Sequence, residues 1–216
     1  FKKMNNMNIL TFDVEDWFHV LDNESTKGEK EWLNYEYRIE SNMNRILQLL
    51  SDSNQNASFF CLGWVARKFP NILKEINNNG YEIGSHSDMH QLAYMQTRKE
   101  FSLDLENSIK SIEDIIGKKV TIYRAPGFSF KEENKWVFNE LINQGIEIDC
   151  SLCSIKLFNG GFPSYNNDMP SLISINNRVM KEFPINLFNI FGKKILFSGG
   201  GYFRFFPYWA INLMMK

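Results

Sequence analysis

The chain has 216 residues, 44% of them hydrophobic, enough for one large core in one domain or two. Its formal net charge is −1 and no basic run exceeds two residues, which gives no basic field for nucleic acid. No apolar run approaches the roughly 20 residues that a membrane span needs. The N-terminus, Phe1-Lys2-Lys3-Met4-Asn5-Asn6-Met7, lacks the apolar segment of a signal peptide, and Met4 or Met7 is the expected initiator. Tyr208 to Met215 is apolar and stops abruptly, so the natural chain is expected to continue past Lys216. Cys61, Cys150 and Cys153 form no disulfide framework. Cys150-Ser-Leu-Cys153 has no second pair to complete a zinc site, so structural thiols and a reducing, cytoplasmic compartment are expected.

Strand and helix patterns alternate along the chain. Ile9 to Phe12 reads as a buried strand running into Asp13, Glu15 and Asp16. Ile39, Met43, Ile46, Leu47 and Leu50 share one helical face. Ala57 to Leu62 is a second strand, and Pro70 suits the first turn of a helix that stops at Asn79-Gly80. Tyr81 to Gly84 is a third strand, leading into Ser85-His86-Ser87-Asp88-Met89-His90. Thr97 and Glu100 make a capping box ahead of a helix with Phe101, Leu105, Ile109, Ile112 and Ile116 on one face, closed by Gly117. Val120 to Tyr123 is a fourth strand, ending at Arg124. Ser129 and Glu132 suggest a second capping box for a helix ending at Gly145. Ile146 to Ile148 is a fifth strand, ending at Asp149. Ser154 to Asn177 reads as a long loop with a sixth strand near Leu172 to Ile175. Further strands are expected over Val179 to Phe183 and Ile195 to Phe197. Ser198-Gly199-Gly200-Gly201 suggests close backbone approach.

No repeat or linker interrupts this pattern, which predicts one domain over residues 1–216 with a parallel sheet. Asp13, His86, Arg124 and Asp149 fall just after strands, and in a parallel barrel those ends lie on one face. An open doubly wound sheet is the alternative, but it gathers residues only near one crevice. His86 and His90, four residues apart, suit metal ligation if the segment forms a helical or tight turn. The acids have a plainer reading, since acids at a strand end often cap a following helix. Together, an acidic strand end and a histidine pair are how catalytic metal sites are built.

Thr11-Phe12-Asp13-Val14-Glu15-Asp16, His86-Ser87-Asp88-Met89-His90 and Arg124-Ala125-Pro126-Gly127-Phe128 occur in the order of the motifs of the polysaccharide deacetylase family, carbohydrate esterase family 4. The chain resembles that family over most of its length. The Asp13-Val-Glu-Asp-Trp17 form and the late Ser198-Gly-Gly-Gly-Tyr202-Phe203-Arg204 are similar to a branch from bacterial surface-polysaccharide loci, such as those for lipopolysaccharide or capsule. The resemblance implies an α/β fold, a distorted seven-stranded (β/α) barrel of TIM-barrel type. It implies a metal-dependent hydrolase that removes an N-acetyl group from an amino sugar in a polysaccharide or its precursor. Asp13 would be the general base, kept ionised and oriented by Arg124. His86 and His90 would bind a divalent metal, zinc being the expected ion, which polarises the carbonyl and activates water. The third ligand departs from the family pattern, because Val14 stands where the common motif has its metal-binding Asp. Glu15 is favoured because i and i+2 point the same way along a strand, with Asp16 the alternative.

Asp149 would tether a late histidine acting as general acid, but no histidine follows His90. The acid is then a residue beyond Lys216, or His19, or Asp13 returning its own proton. Trp17, Phe128 and Tyr202 are candidates for stacking on sugar. The partner implied is an N-acetylated carbohydrate, with no nucleic acid and no transmembrane segment. Oligomeric state stays open. Two other readings compete: an allantoinase-like amide hydrolase on the same barrel, and a degenerate sugar-binding relative.

Overall fold

The structure, a computed structural model, describes residues 8–21 and 23–215. The expectations on residues 1–7 and on Lys216 lie outside the described residues. In chain order the chain forms β1 (Thr11–Val14), α1 (Glu29–Trp32), α2 (Ile39–Asp52), β2 (Ser58–Cys61), α3 (Gly63–Lys68), α4 (Pro70–Asn78), β3 (Glu82–Ser85) and α5 (Arg98–Ile116). There follow β4 (Ile122–Tyr123), α6 (Val137–Asn143), β5 (Ile148–Asp149), β6 (Ser171–Ile175), β7 (Arg178–Glu182), β8 (Leu187–Ile190), β9 (Lys193–Leu196), α7 (Gly200–Phe205) and α8 (Tyr208–Met214).

Seven strands make one sheet in the order β1-β2-β3-β4-β5-β7-β6. All neighbours are parallel except β6, which runs antiparallel to β7. The sheet rolls as the barrel reading requires. Arg124, just after β4, reaches Asp13 on β1 at 2.9 Å, across three strand spacings that would amount to about 14 Å in a flat sheet. Among the described residues β1 and β6 do not pair, so the barrel is distorted and left open between them.

Local chemistry accounts for the helices. Met43, Leu47 and Leu50 bury one stripe of α2, and Phe101, Leu105, Ile109, Ile112 and Ile116 bury one stripe of α5. Thr97 and Glu100 make both reciprocal capping bonds at the start of α5, and Gly117 ends it in the left-handed region at φ 67°. Gly84 lets β3 lie against β4, because a Cβ there would sit 2.3 Å from the Ile122 side chain. The three cysteines are free and buried.

Four local expectations are corrected. The first strand starts two residues later and is only partly buried, as suits the end strand of an open barrel. Ser129 caps no helix: its hydroxyl accepts from the Ala93 N–H, and Lys131 with Asn134 closes the turn that precedes α6. Leu187–Ile190 and Lys193–Leu196 form a hairpin whose turn residues, Phe191 and Gly192, both have positive φ (48° and 81°). A Phe at the first turn position hid that signal. The late glycines make no close approach: Gly200 and Gly201 open α7, and a Cβ on Gly201 would meet nothing within 4 Å.

Candidate active site

β1 aims the first motif at the mouth of the barrel. Asp13 and Glu15 lie two residues apart and project to the same side, as strand alternation requires. Asp13 Oδ1 accepts from Arg124 Nη1 at 2.9 Å, and its Oδ2 lies 3.9 Å from His86 Nε2. Burial pushes the Asp13 carboxyl up. The charge of Arg124 and its hydrogen bond lead the influences that outweigh this and hold it below the ordinary carboxylate range.

The two histidines sit on a looped turn after β3. Ser87 and His90 adopt positive φ (74° and 54°), which non-glycine residues hold only under local constraint. Asp104 on α5 supplies that constraint, since its carboxylate accepts from the Asp88 and Met89 N–H groups at 2.9 and 3.2 Å. The Gly63 and Trp64 N–H groups donate to the Ser87 and Asp88 carbonyls. His86 Nδ1 donates to the Arg124 carbonyl at 2.8 Å, which leaves Nε2 as a lone pair facing the site. Burial is the main influence holding His86 below the usual histidine range, so the ring is neutral as a ligand must be.

Glu15, His86 and His90 bring one ligand atom each to within 4.8 Å of one another. Glu15 Oε2 lies 2.8 Å from His90 Nε2, yet that buried oxygen accepts no hydrogen bond among the described residues. Two nitrogens and one orphaned carboxylate oxygen, all aimed at one point, fit the donor set of a catalytic zinc site.

Asp16 does something else. Its carboxylate accepts from the backbone N–H groups of Trp17, Arg38 and Ile39 at 2.8–3.1 Å, tying the β1 loop to the start of α2. His19 is buried among Phe18, Trp32 and Trp64, and its ring centroid is 6.1 Å from that of His90. Its Nδ1 accepts the Asp16 N–H, so the neutral ring carries its proton on Nε2. Burial, then the neighbouring His90, lower its pKa to about 3. Asp149, fully buried, is partnered by Ser151 and Glu182.

Of the aromatics, Phe128 stacks near Arg124, 5.8 Å from its guanidinium, and shares with Tyr202 the lining of a cavity of about 300 Å³. Trp17 lies apart from that cavity, its indole N–H on the Glu36 carbonyl and Arg38 over its ring. Asp104 and Glu182 are residues beside the site that the motifs did not point to. Glu182 had a signal: it falls in phase with the buried Met180 on β7, an acid on the inner face of a strand.

A family model described as "Polysaccharide deacetylase" matches residues 23–145, more than half of the chain. The chain belongs to the polysaccharide deacetylase family. A second model, a domain of unknown function (DUF3473), matches residues 150–216. The peptidoglycan-N-acetylglucosamine deacetylase of Bacillus cereus is 27% identical over 103 residues, 48% of this chain and 38% of that protein. The peptidoglycan deacetylase of Helicobacter pylori is 31% identical over 109 residues, 50% of this chain and 36% of that one. These matches thus span little more than a third of the curated relatives. A Mycobacterium smegmatis crystal structure assigned to the polysaccharide deacetylases superposes with a TM-score of 0.68 at 19% identity. It covers 96% of this chain and 71% of its own, and so shares the fold. The family is generally metal-dependent, and its fold is the distorted (β/α) seven-stranded barrel seen here.

Two predictions follow from this geometry. Glu15→Ala should weaken zinc binding strongly and leave stability near that of the parent. Asp16→Ala should do the reverse, costing about 2 kcal/mol as three backbone donors lose their acceptor while zinc affinity holds. Zinc titration and urea melts of both variants check the pair, and the opposite pattern would make Asp16 the ligand. His19 binds fewer protons folded than unfolded between about pH 6.5 and pH 3. Its contribution to stability is therefore lost as pH falls through that window. In His19→Asn the acid limb of the stability curve should be shallower by close to one proton; an unchanged slope would contradict a neutral buried His19.

Proposed function

We propose that this chain is a metal-dependent N-deacetylase that hydrolyses the N-acetyl amide of an amino sugar in a polysaccharide or its precursor. The observation that carries this reading is the convergence of Glu15, His86 and His90 on one point beside an Asp13 held ionised by Arg124. The names of the relatives support a glycan bearing N-acetylglucosamine. We take residues 1–216 as one catalytic unit, a reading supported by β5, which lies between the two family matches and pairs with β4 of the first and β7 of the second. Three free buried thiols are compatible with the cytoplasm. Among the described residues no helix is long and apolar enough to cross a membrane.

Glu15, His86 and His90 would hold a divalent ion, zinc by donor type, which when bound supplies Lewis acidity at the acetyl carbonyl. Asp13 removes a proton from the attacking water as its oxygen bonds to the carbonyl carbon. Arg124 keeps Asp13 ionised and aims its carboxylate, so the base is ready at neutral pH. As the carbon–nitrogen bond breaks, the leaving nitrogen needs one proton. Asp13 holds that proton and returns it, a route supported by the burial and neutrality of His19. Phe128 and Tyr202 line one cavity, with Phe128 also 5.8 Å from the Arg124 guanidinium, and suit the apolar face of a pyranose ring.

Asp13→Asn tests the reading. The amide is nearly isosteric and cannot take the proton, so turnover should fall about 10²–10⁴-fold with zinc content and substrate affinity retained. Acetate release from an N-acetylglucosamine oligomer is the measurement. Turnover equal to the parent across neutral pH would remove Asp13 from the role of base.

A further inference from the structure

A second acid pair lies beneath the site. Asp149 on β5 and Glu182 on β7 are directly opposite in the parallel register, and neither has any exposed surface. Asp149 Oδ1 accepts from Ser151 Oγ at 2.6 Å, and Glu182 Oε1 accepts from the Leu152 N–H at 3.1 Å. The remaining oxygens, Asp149 Oδ2 and Glu182 Oε2, are buried and find no donor among the described residues. Two ionised carboxylates so placed would repel each other in a low-dielectric setting. One proton between them turns one into a donor and satisfies both.

From this pair a chain of hydrogen bonds runs to the site. Ser151 Oγ accepts from the Ala125 N–H at 2.8 Å while donating to Asp149. The Ala125 N–H belongs to the same peptide unit as the Arg124 carbonyl, which accepts from His86 Nδ1 at 2.8 Å. That one peptide plane is therefore pinned at both ends. Its carbonyl fixes which His86 nitrogen carries the proton. Its Cα carries the Arg124 side chain that grips Asp13.

We propose that Glu182 is a positioning residue: by sharing one proton with Asp149 it holds the Arg124–Ala125 peptide through Ser151, and so sets the orientation of His86 and Arg124. This deepens the deacetylase reading, since it concerns the same site. Burial pushes Asp149 up against the hydrogen bond from Ser151. Burial pushes Glu182 well up, reinforced by the charge of Asp149, which accords with one proton held between the two carboxyls. Hydrogen bonds in series polarise one another, and partners behind a metal ligand typically govern about 10–100-fold in metal affinity.

The test compares Glu182→Gln, Glu182→Leu and Ser151→Ala. A glutamine can accept from Leu152 and donate permanently to Asp149, whereas leucine can do neither. Nitrogen-15 NMR of the metal-free protein should show a slowly exchanging His86 Nδ1 proton in the parent and in Glu182→Gln. Glu182→Leu and Ser151→Ala should lose that protection and bind zinc about 10–100-fold more weakly. If Glu182→Leu fails to fold, Ser151→Ala decides, because it cuts the chain and leaves the acid pair in place. Parent-like proton protection and zinc affinity in Ser151→Ala would overturn the proposal. So would a Glu182→Gln that behaves like the leucine variant, or a parent with no protected proton. A parent with the protected proton that releases no acetate would sink the deacetylase reading and leave this one standing.

Discussion

The contact between Arg124 and Asp13 organises the molecule. It joins the end of β4 to β1 across the mouth of the rolled sheet; Glu15 follows β1, and His86 and His90 follow β3, which lies between them. The guanidinium also lies 4.2 Å over the Phe60 ring, so the cation is packed from below as well as paired from the side. With Asp13 partly open to solvent, the ion pair adds little net stability, because water screens the attraction. Its effect is on the charge state of Asp13, which it keeps ionised.

The site is held by backbone geometry as much as by charge. Ser87, His90 and Phe128 all adopt positive φ, and each stands at or beside a functional side chain. Such conformations persist where surrounding contacts over-determine them. Here Asp104 grips the histidine turn, and Phe128 is closed in by Gly160, where a Cβ would come within 1.9 Å of the Phe128 carbonyl. Burial pushes Asp104 up to about 6, since its carboxylate sits under the turn with Asp88 close by.

Much of this was legible in the residues. Helical stripes in α2 and α5, the Thr97 capping box and the Gly117 stop are local signals, and tertiary contacts reinforced them. The strand ends could be read because Asp13, His86, Arg124 and Asp149 each follow a short strand pattern. What could not be read depends on contacts distant in sequence. Glu15 and Asp16 are adjacent acids of nearly the same chemistry. Only the position of α2, whose first N–H groups Asp16 receives, separates ligand from cap. His19 looks like a spare catalytic imidazole until Trp32 and Trp64 close around it. Asp149 was expected beside a histidine and meets Glu182, 33 positions later, through a register that no local pattern encodes. The Phe191-Gly192 hairpin was hidden because phenylalanine is a poor predictor of positive φ.

The central claim is that Glu15, His86 and His90 form one metal centre beside Asp13. Anomalous diffraction at the zinc edge, from crystals grown with stoichiometric zinc, tests it most directly. The account predicts one strong peak bonded to Glu15 Oε2, His86 Nε2 and His90 Nε2, with Asp16 still on the backbone of α2. No peak at that point under saturating zinc, or a peak ligated by Asp16 in place of Glu15, would contradict it.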